Sequence, residues 1–127
     1  MILDKHKIIF VHINRTGGTS IEKFFNSKLH DHSCAQHILA EVGKEKWNEY
    51  FKFSIVRNPW DRLVSAYSRR VKHNELCSSV TFKDWFFEIK NEWWVIQSNW
   101  LNSDLDHVGR FENLNLTCEL ICNKCNL

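Results

Sequence analysis

Two short stretches of this sequence carry side chains that could hold an anion. The first is Asn14-Arg15-Thr16-Gly17-Gly18-Thr19-Ser20, which joins a cation, three hydroxyls and two adjacent glycines. Gly17 and Gly18 remove two Cβ atoms where the chain must turn sharply. A glycine turn that feeds a helix gathers backbone N–H groups lacking helical acceptors, at the positive end of the helix dipole. Phosphate is the usual guest of such a turn. The second stretch is Arg57-Asn58-Pro59-Trp60-Asp61-Arg62-Leu63-Val64-Ser65, a cation followed by a hydroxyl. Fixed N–H donors and a cation are what a reaction needs when negative charge builds on a leaving oxygen.

A reading without any ligand competes for the first stretch. Thr19 and Glu22 fit a capping box, in which Glu22 reaches back to the Thr19 N–H. On this stretch alone both readings stay open. A nucleotide-hydrolase loop of the G-x-x-x-x-G-K-[ST] type is excluded, because no Lys follows the second glycine.

Each stretch follows a strand-like run. Residues 8–13 are mostly β-branched or aromatic, as a buried central strand should be, and residues 51–56 repeat the pattern. After Thr19, apolar residues return at Ile21, Phe24, Phe25 and Leu29, which is helical spacing. Beyond Arg57, Asn58 suits an N-cap, Pro59 the first helical position and Asp61 the acidic third. Along that helix Trp60, Leu63, Val64, Tyr67 and Val71 form one apolar stripe, expected to meet the core. Ser65 falls roughly 140° from Trp60, off the stripe and free to face a cleft. Arg57 ends its strand, where ligands of open α/β sheets bind.

The remainder is less emphatic. Residues 38–50 are weakly helical and interrupted at Gly43. Residues 81–84 open another helix, residues 93–101 resist assignment, and residues 108–112 read as a short strand. A final helix follows over 113–125, with Leu114, Cys118, Ile121, Cys122 and Cys125 on one face; the cysteines there read as core residues rather than zinc ligands. His30, His32, Cys34 and His37 form a compact polar group, but their spacing matches no common zinc pattern. Two strand–helix units argue for an α/β fold, a parallel sheet flanked by helices on both faces in one compact domain over residues 1–127.

The bulk numbers bound the function. The chain has 127 residues, the size of one domain. Seventeen Lys and Arg against fifteen Asp and Glu leave only +2, which does not suggest a general nucleic-acid binder with its concentrated basic stripe. No run approaches the ~18 apolar residues of a membrane span. Residues 1–7 lack the apolar core of a signal peptide. The five cysteines are therefore expected as free thiols. Of two glycosylation triplets, one falls on Asn14 inside the glycine turn, where a glycan would obstruct it. These features point to a cytoplasmic protein, with a Golgi lumen placement only for a fragment.

Taken together, the residues 10–20 and 53–67 resemble a known pair: the 5′-phosphosulfate and 3′-phosphate motifs of carbohydrate O-sulfotransferases. Gln97-Ser98 and Gly109-Arg110-Phe111-Glu112-Asn113-Leu114 resemble later parts of the same family, in the same order. The resemblance spans most of the chain, from about Lys7 to Cys125. It implies a P-loop, nucleotide-kinase-like fold and transfer of sulfuryl from 3′-phosphoadenosine 5′-phosphosulfate (PAPS) to a hydroxyl acceptor, expected to be a saccharide, with no metal. It implies that Arg15, Thr16, Gly17, Gly18, Thr19 and Ser20 wrap the 5′-phosphosulfate. Arg57 and Ser65 would clamp the 3′-phosphate, and Arg110 would approach the nucleotide. Arg15 and His37 are the implied catalytic residues, His37 as the base after the first helix. An imidazole can take a proton from a hydroxyl near neutral pH.

This chain departs from the family in carrying Arg15 where Lys is usual and Asn14 where Pro is usual. Arg keeps the charge but presents a planar fork instead of a compact ammonium. A different class of function follows from the same departure: a nucleotide-binding or interaction module that is weakly active or inactive. A small-molecule kinase is disfavoured by the missing P-loop Lys.

Overall fold

The computed structural model describes residues 1–27, 32–102 and 104–125. Among these residues four strands form one sheet, β1 (Ile2–Leu3), β2 (Ile8–Val11), β3 (Phe51–Val56) and β4 (His107–Arg110), in spatial order β1-β2-β3-β4. β2 is buried at every position and runs parallel to β3, with Phe10 opposite Phe53. β3 in turn runs parallel to β4, with Ile55 opposite Gly109. The first and second strands expected from the sequence thus pair in parallel within one sheet.

The sheet is not wholly parallel. β1 pairs antiparallel with β2. A 3₁₀ turn over Asp4–His6, ending at Lys7 with φ 52°, reverses the chain between them. So short a connection can join only antiparallel neighbours.

Alternation along the strands feeds two cores. Ile8, Phe10, Phe53 and Ile55 pack on Ile21 of α1 (Gly18–Phe24) and Ile121 of α5 (Leu114–Cys125). Ile9 and Val11 point the other way, onto Ala35, Ile38 and Trp47 of α2 (Ala35–Glu49). α2 is interrupted at Gly43, where φ is 79° and ψ 163°. Residues 93–101 form two 3₁₀ turns, Trp93–Val95 and Gln97–Trp100. Cys118 and Cys125 pack against the first core, where burial pushes both thiols up in pKa.

α3 (Pro59–Lys72) begins as its sequence specifies. Pro59 opens it, and the Asn58 side chain accepts from the N–H groups of Trp60 and Asp61. Its buried face, however, is Arg62, Leu63 and Ala66. Trp60 is 61% exposed and Val64 49%, so the expected stripe is rotated. Trp60 meets Phe86 of α4 (Phe82–Ile89) on the outside of the molecule instead. The capping box is also absent: Gly17, in the left-handed region at φ 93°, is the N-cap of α1 and no side chain caps it. Glu22 is buried beside His12. Leu29 and His30 lie outside the described residues.

Candidate active site

Because β2 and β3 run parallel, their carboxyl ends open on the same edge of the sheet, and the residues that follow each strand meet there. After β2 the chain turns through Asn14, Arg15, Thr16 and Gly17 into α1. Buried Thr16 donates its hydroxyl to the Ile13 carbonyl at 2.8 Å, which fixes the turn from inside. Gly18 lies against the His12 ring, and a Cβ added there would stand 1.7 Å from Nε2. Arg15 adopts φ 64°, an uncommon conformation for a side chain of its size.

Arg62 holds this turn from α3. Its side chain is fully buried, donating to the Asn14 carbonyl at 3.3 Å and to Asn14 Oδ1 at 2.5 Å. The other end of the guanidinium donates to the carbonyls of Trp94 and Val95 at 3.1 and 2.6 Å. One buried cation thus ties the glycine turn to the 3₁₀ segment, its two terminal nitrogens bonded to carbonyls and an amide oxygen while the buried Nε finds no acceptor among the described residues. Burial lowers its pKa.

After β3, Gln97 fixes the backbone of Arg57 from both sides. Its Oε1 accepts from the Arg57 N–H at 2.9 Å and its Nε2 donates to the Arg57 carbonyl at 2.7 Å. Glu112 accepts from the Asn58 N–H at 2.7 Å. Both come from the later segments that resemble the family. The Arg57 guanidinium lies 4.3 Å from the centre of the Phe111 ring and donates to the Arg15 carbonyl at 3.4 Å.

Between these parts lies a cavity of about 670 Å³. Arg15, Gly17, Gly18, Thr19, Arg57 and Ser65 all line it, from two strand–helix units. Arg15 donates to the Ser65 hydroxyl from Nε at 3.1 Å and from a terminal nitrogen at 2.9 Å. Arg69, Arg70 and Glu75 complete the charged wall. Burial, followed by the fields of Arg69 and Arg57, lowers the pKa of Arg15: cations are gathered here in excess. An excess of guanidinium facing a cavity is suited to an anion.

Not every residue singled out from the sequence reaches it. Ser20 is exposed on α1, and Arg110 is exposed at the end of β4; neither lines the cavity, nor does Thr16. His37 is exposed on α2 and does not line it either. Among the described residues, the histidines that do are His12 and His32. Their rings are 4.3 Å apart, and His32 Nδ1 donates to the His12 carbonyl at 3.2 Å. His12 Nδ1 stands 3.7 Å from Glu22 Oε1. Sequence reasoning missed Arg62, Arg69, Arg70 and Glu75. Arg69 could have been found from its position one helical turn after Ser65; nothing local marks Arg62.

A parallel strand pair whose carboxyl edge carries a glycine turn and a basic cavity defines an α/β protein with a site suited to an anion. The sulfotransferase family matches residues 1–125, and the chain belongs to that family, as the two motifs implied. It is 31% identical over 104 residues to carbohydrate sulfotransferase 10 of Xenopus laevis, covering 67% of this chain and 28% of that protein. The identity to the proteins of the same name from Gallus gallus and Homo sapiens is 31% over 105 residues, with the same coverage. The chain thus spans about 28% of the length of these relatives. No solved structure matches it.

These relatives overturn the cytoplasmic placement. Carbohydrate sulfotransferases are Golgi enzymes, and the expectation rested on a missing leader in a chain that spans only part of their length. Among the described residues no helix is long and apolar enough to cross a membrane.

Proposed function

We propose that this chain carries the donor-binding region of a sulfotransferase that moves the sulfuryl group of PAPS to a hydroxyl of a saccharide, on a nucleotide-kinase-like P-loop fold. The observation that carries the proposal is convergence. Arg15, Gly17, Gly18, Thr19, Arg57 and Ser65 come from two strand–helix units and line one cavity whose charged wall, among the described residues, is four arginines and one glutamate. A donor with anionic groups at both ends fits such a wall. The saccharide acceptor is supported by the family and by relatives that are carbohydrate sulfotransferases.

When bound, the donor supplies an activated sulfuryl group. The chain's own residues would do the rest. Arg15, Gly17, Gly18 and Thr19 of the turn would hold the 5′-phosphosulfate, and Arg57 with Ser65 the 3′-phosphate. Arg15 would stabilise the charge that grows on the departing phosphate, in a geometry already fixed before the reaction. For the acceptor proton we favour His32 over His37, because His32 lines the cavity. Its Nδ1–H is engaged by the His12 carbonyl, which leaves Nε2 as the basic nitrogen. Removing either histidine tests the choice.

A second reading is supported by Arg15 itself, which replaces the usual Lys and already bonds Ser65. On that reading the chain binds the nucleotide without transfer. The two are separated by supplying PAPS with labelled sulfate to a panel of glycan and phenol acceptors. Transfer to a glycan supports the enzyme. Tight binding of 3′-phosphoadenosine 5′-phosphate (PAP) with no transfer to any acceptor supports the module.

A further inference from the structure

One face of α3 carries more positive charge than the reading above uses. Ser65 and Arg69 stand at i, i+4 spacing, which places both on one side of the helix. Arg69 lines the main cavity and also a smaller depression of about 300 Å³ beside it, walled by Arg15, Ser65, Ser68, Arg69, Lys72 and His73. Arg69 is therefore adjacent to the hydroxyl and the cation that bind each other across the site. After burial, its charge is the foremost influence lowering the pKa of Arg15, ahead of Arg57.

Against these cations the cavity wall sets one acid among the described residues, Glu75. Past the end of α3 the chain reverses at Asn74, whose φ is 56°, and the Glu75 N–H donates to the Arg70 carbonyl at 2.8 Å. The reversal brings the Glu75 carboxylate to 2.7 Å from the Arg69 guanidinium. A carboxylate and a phosphate make the same demand on a guanidinium, a pair of oxygens matched to its planar fork. A phosphate monoester brings about −1.5 to −2 charge at neutral pH, more than a carboxylate. The two side chains are 45% and 44% exposed, so their pair contributes little to stability and can open without disturbing the core.

Resting on the donor reading given above, we propose that Arg69 is a third ligand of the donor's 3′-phosphate, beyond Arg57 and Ser65, and that Glu75 is its resident counter-ion, displaced when that phosphate enters. The pair then acts in specificity. A nucleotide without a 3′-phosphate leaves Arg69 on Glu75, and one with it gains a guanidinium.

The test is direct calorimetric binding of PAP and of AMP, which lacks the 3′-phosphate, to the parent chain, Arg69→Ala and Glu75→Gln. Arg69→Ala should lose roughly 10- to 100-fold in PAP affinity, the range of a charge-assisted hydrogen bond, with AMP affinity within about twofold of the parent. Glu75→Gln should bind PAP about three- to tenfold tighter and AMP as before, because the competing carboxylate charge is gone. A parent that does not prefer PAP over AMP defeats the donor reading itself. A parent that prefers PAP, with Arg69→Ala keeping the full preference, overturns this inference alone. Glu75→Gln binding PAP no tighter than the parent overturns the counter-ion.

Discussion

Arg15 and Ser65, fifty positions apart, share two hydrogen bonds onto a single hydroxyl oxygen, at 3.1 and 2.9 Å. The contact joins the glycine turn to α3 and puts the two motifs in one electrostatic unit. A lysine could reach the same oxygen only as a point charge, through one nitrogen.

Substitutions at Arg15 should therefore separate binding from turnover. Arg15→Ala is expected to lower kcat by about 10²-fold, the usual cost of losing one fixed donor to a developing charge. KM for PAPS should change much less, because that charge appears only as the S–O bond breaks. Arg15→Lys should keep or raise the parent kcat. Equal losses in kcat for the Lys and Ala variants would show that Arg15 does not face the leaving group.

At the other end of the site, Arg57→Ala and Ser65→Ala should both weaken PAP binding in a chain that stays folded. Arg57 should cost about 1.5–3 kcal/mol and Ser65 about 1 kcal/mol, the difference between a charge-assisted and a neutral hydrogen bond. Calorimetry with PAP reads both. Arg57→Ala binding as tightly as the parent would remove Arg57 from the 3′-phosphate.

His32 and His37 make opposite forecasts. His32→Ala should lower the transfer rate by about 10²–10⁴-fold, the range of a positioned base, and leave PAP affinity within about twofold. His37→Ala, on the exposed side of α2, should do neither. The reverse pattern would return the base to His37.

Acid should weaken the fold at Asp106. Its carboxylate accepts from the Lys52 N–H at 2.7 Å and from the Lys52 ammonium at 2.9 Å. Burial works to raise the Asp106 pKa, but the hydrogen bonds and charge of Lys52 outweigh it, and the carboxyl is held below its usual range. A carboxyl whose pKa is lower folded than unfolded stabilises fully above the unfolded value, and that stability is lost as pH falls through the folded one. Urea midpoints measured from neutral pH down through the carboxylate range should fall more steeply for the parent than for Asp106→Asn. At neutral pH the variant should be less stable by up to about 1 kcal/mol, because the buried Lys52 ammonium loses its counter-charge but keeps its bond to the Tyr50 carbonyl, and solvent screens a carboxylate whose side chain is 42% exposed. Parallel pH curves for the two proteins would rule this out.

How much of this was legible in the sequence depended on how local the cause was. Asn58 and Pro59 announce the start of α3 because capping is settled within one turn. The parallel pairing of β2 and β3 followed from two similar strand–helix units. The face of α3 was misread because Arg62, by type a surface residue, turns inward to reach carbonyls at Asn14, Trp94 and Val95. Trp60 and Val64 are carried outward with that rotation. The capping box failed for a similar reason: Glu22 is drawn into the interior beside His12, a contact invisible to a four-residue pattern. The choice between His32 and His37 had no periodicity to guide it, since residues 32–34 are irregular while 37 lies on a helix.

The buried guanidinium of Arg62 has a further consequence for portability. The glycine turn takes its hold partly from a side chain 48 positions away, and the same side chain grips the 3₁₀ segment. A peptide or chimera carrying only residues 8–24 would hold the motif's letters without its brace. Transplanted alone into another scaffold, the turn would revert to one of the many conformations two consecutive glycines permit. The unit that can be moved between proteins is the turn together with α3 and the segment around Trp94.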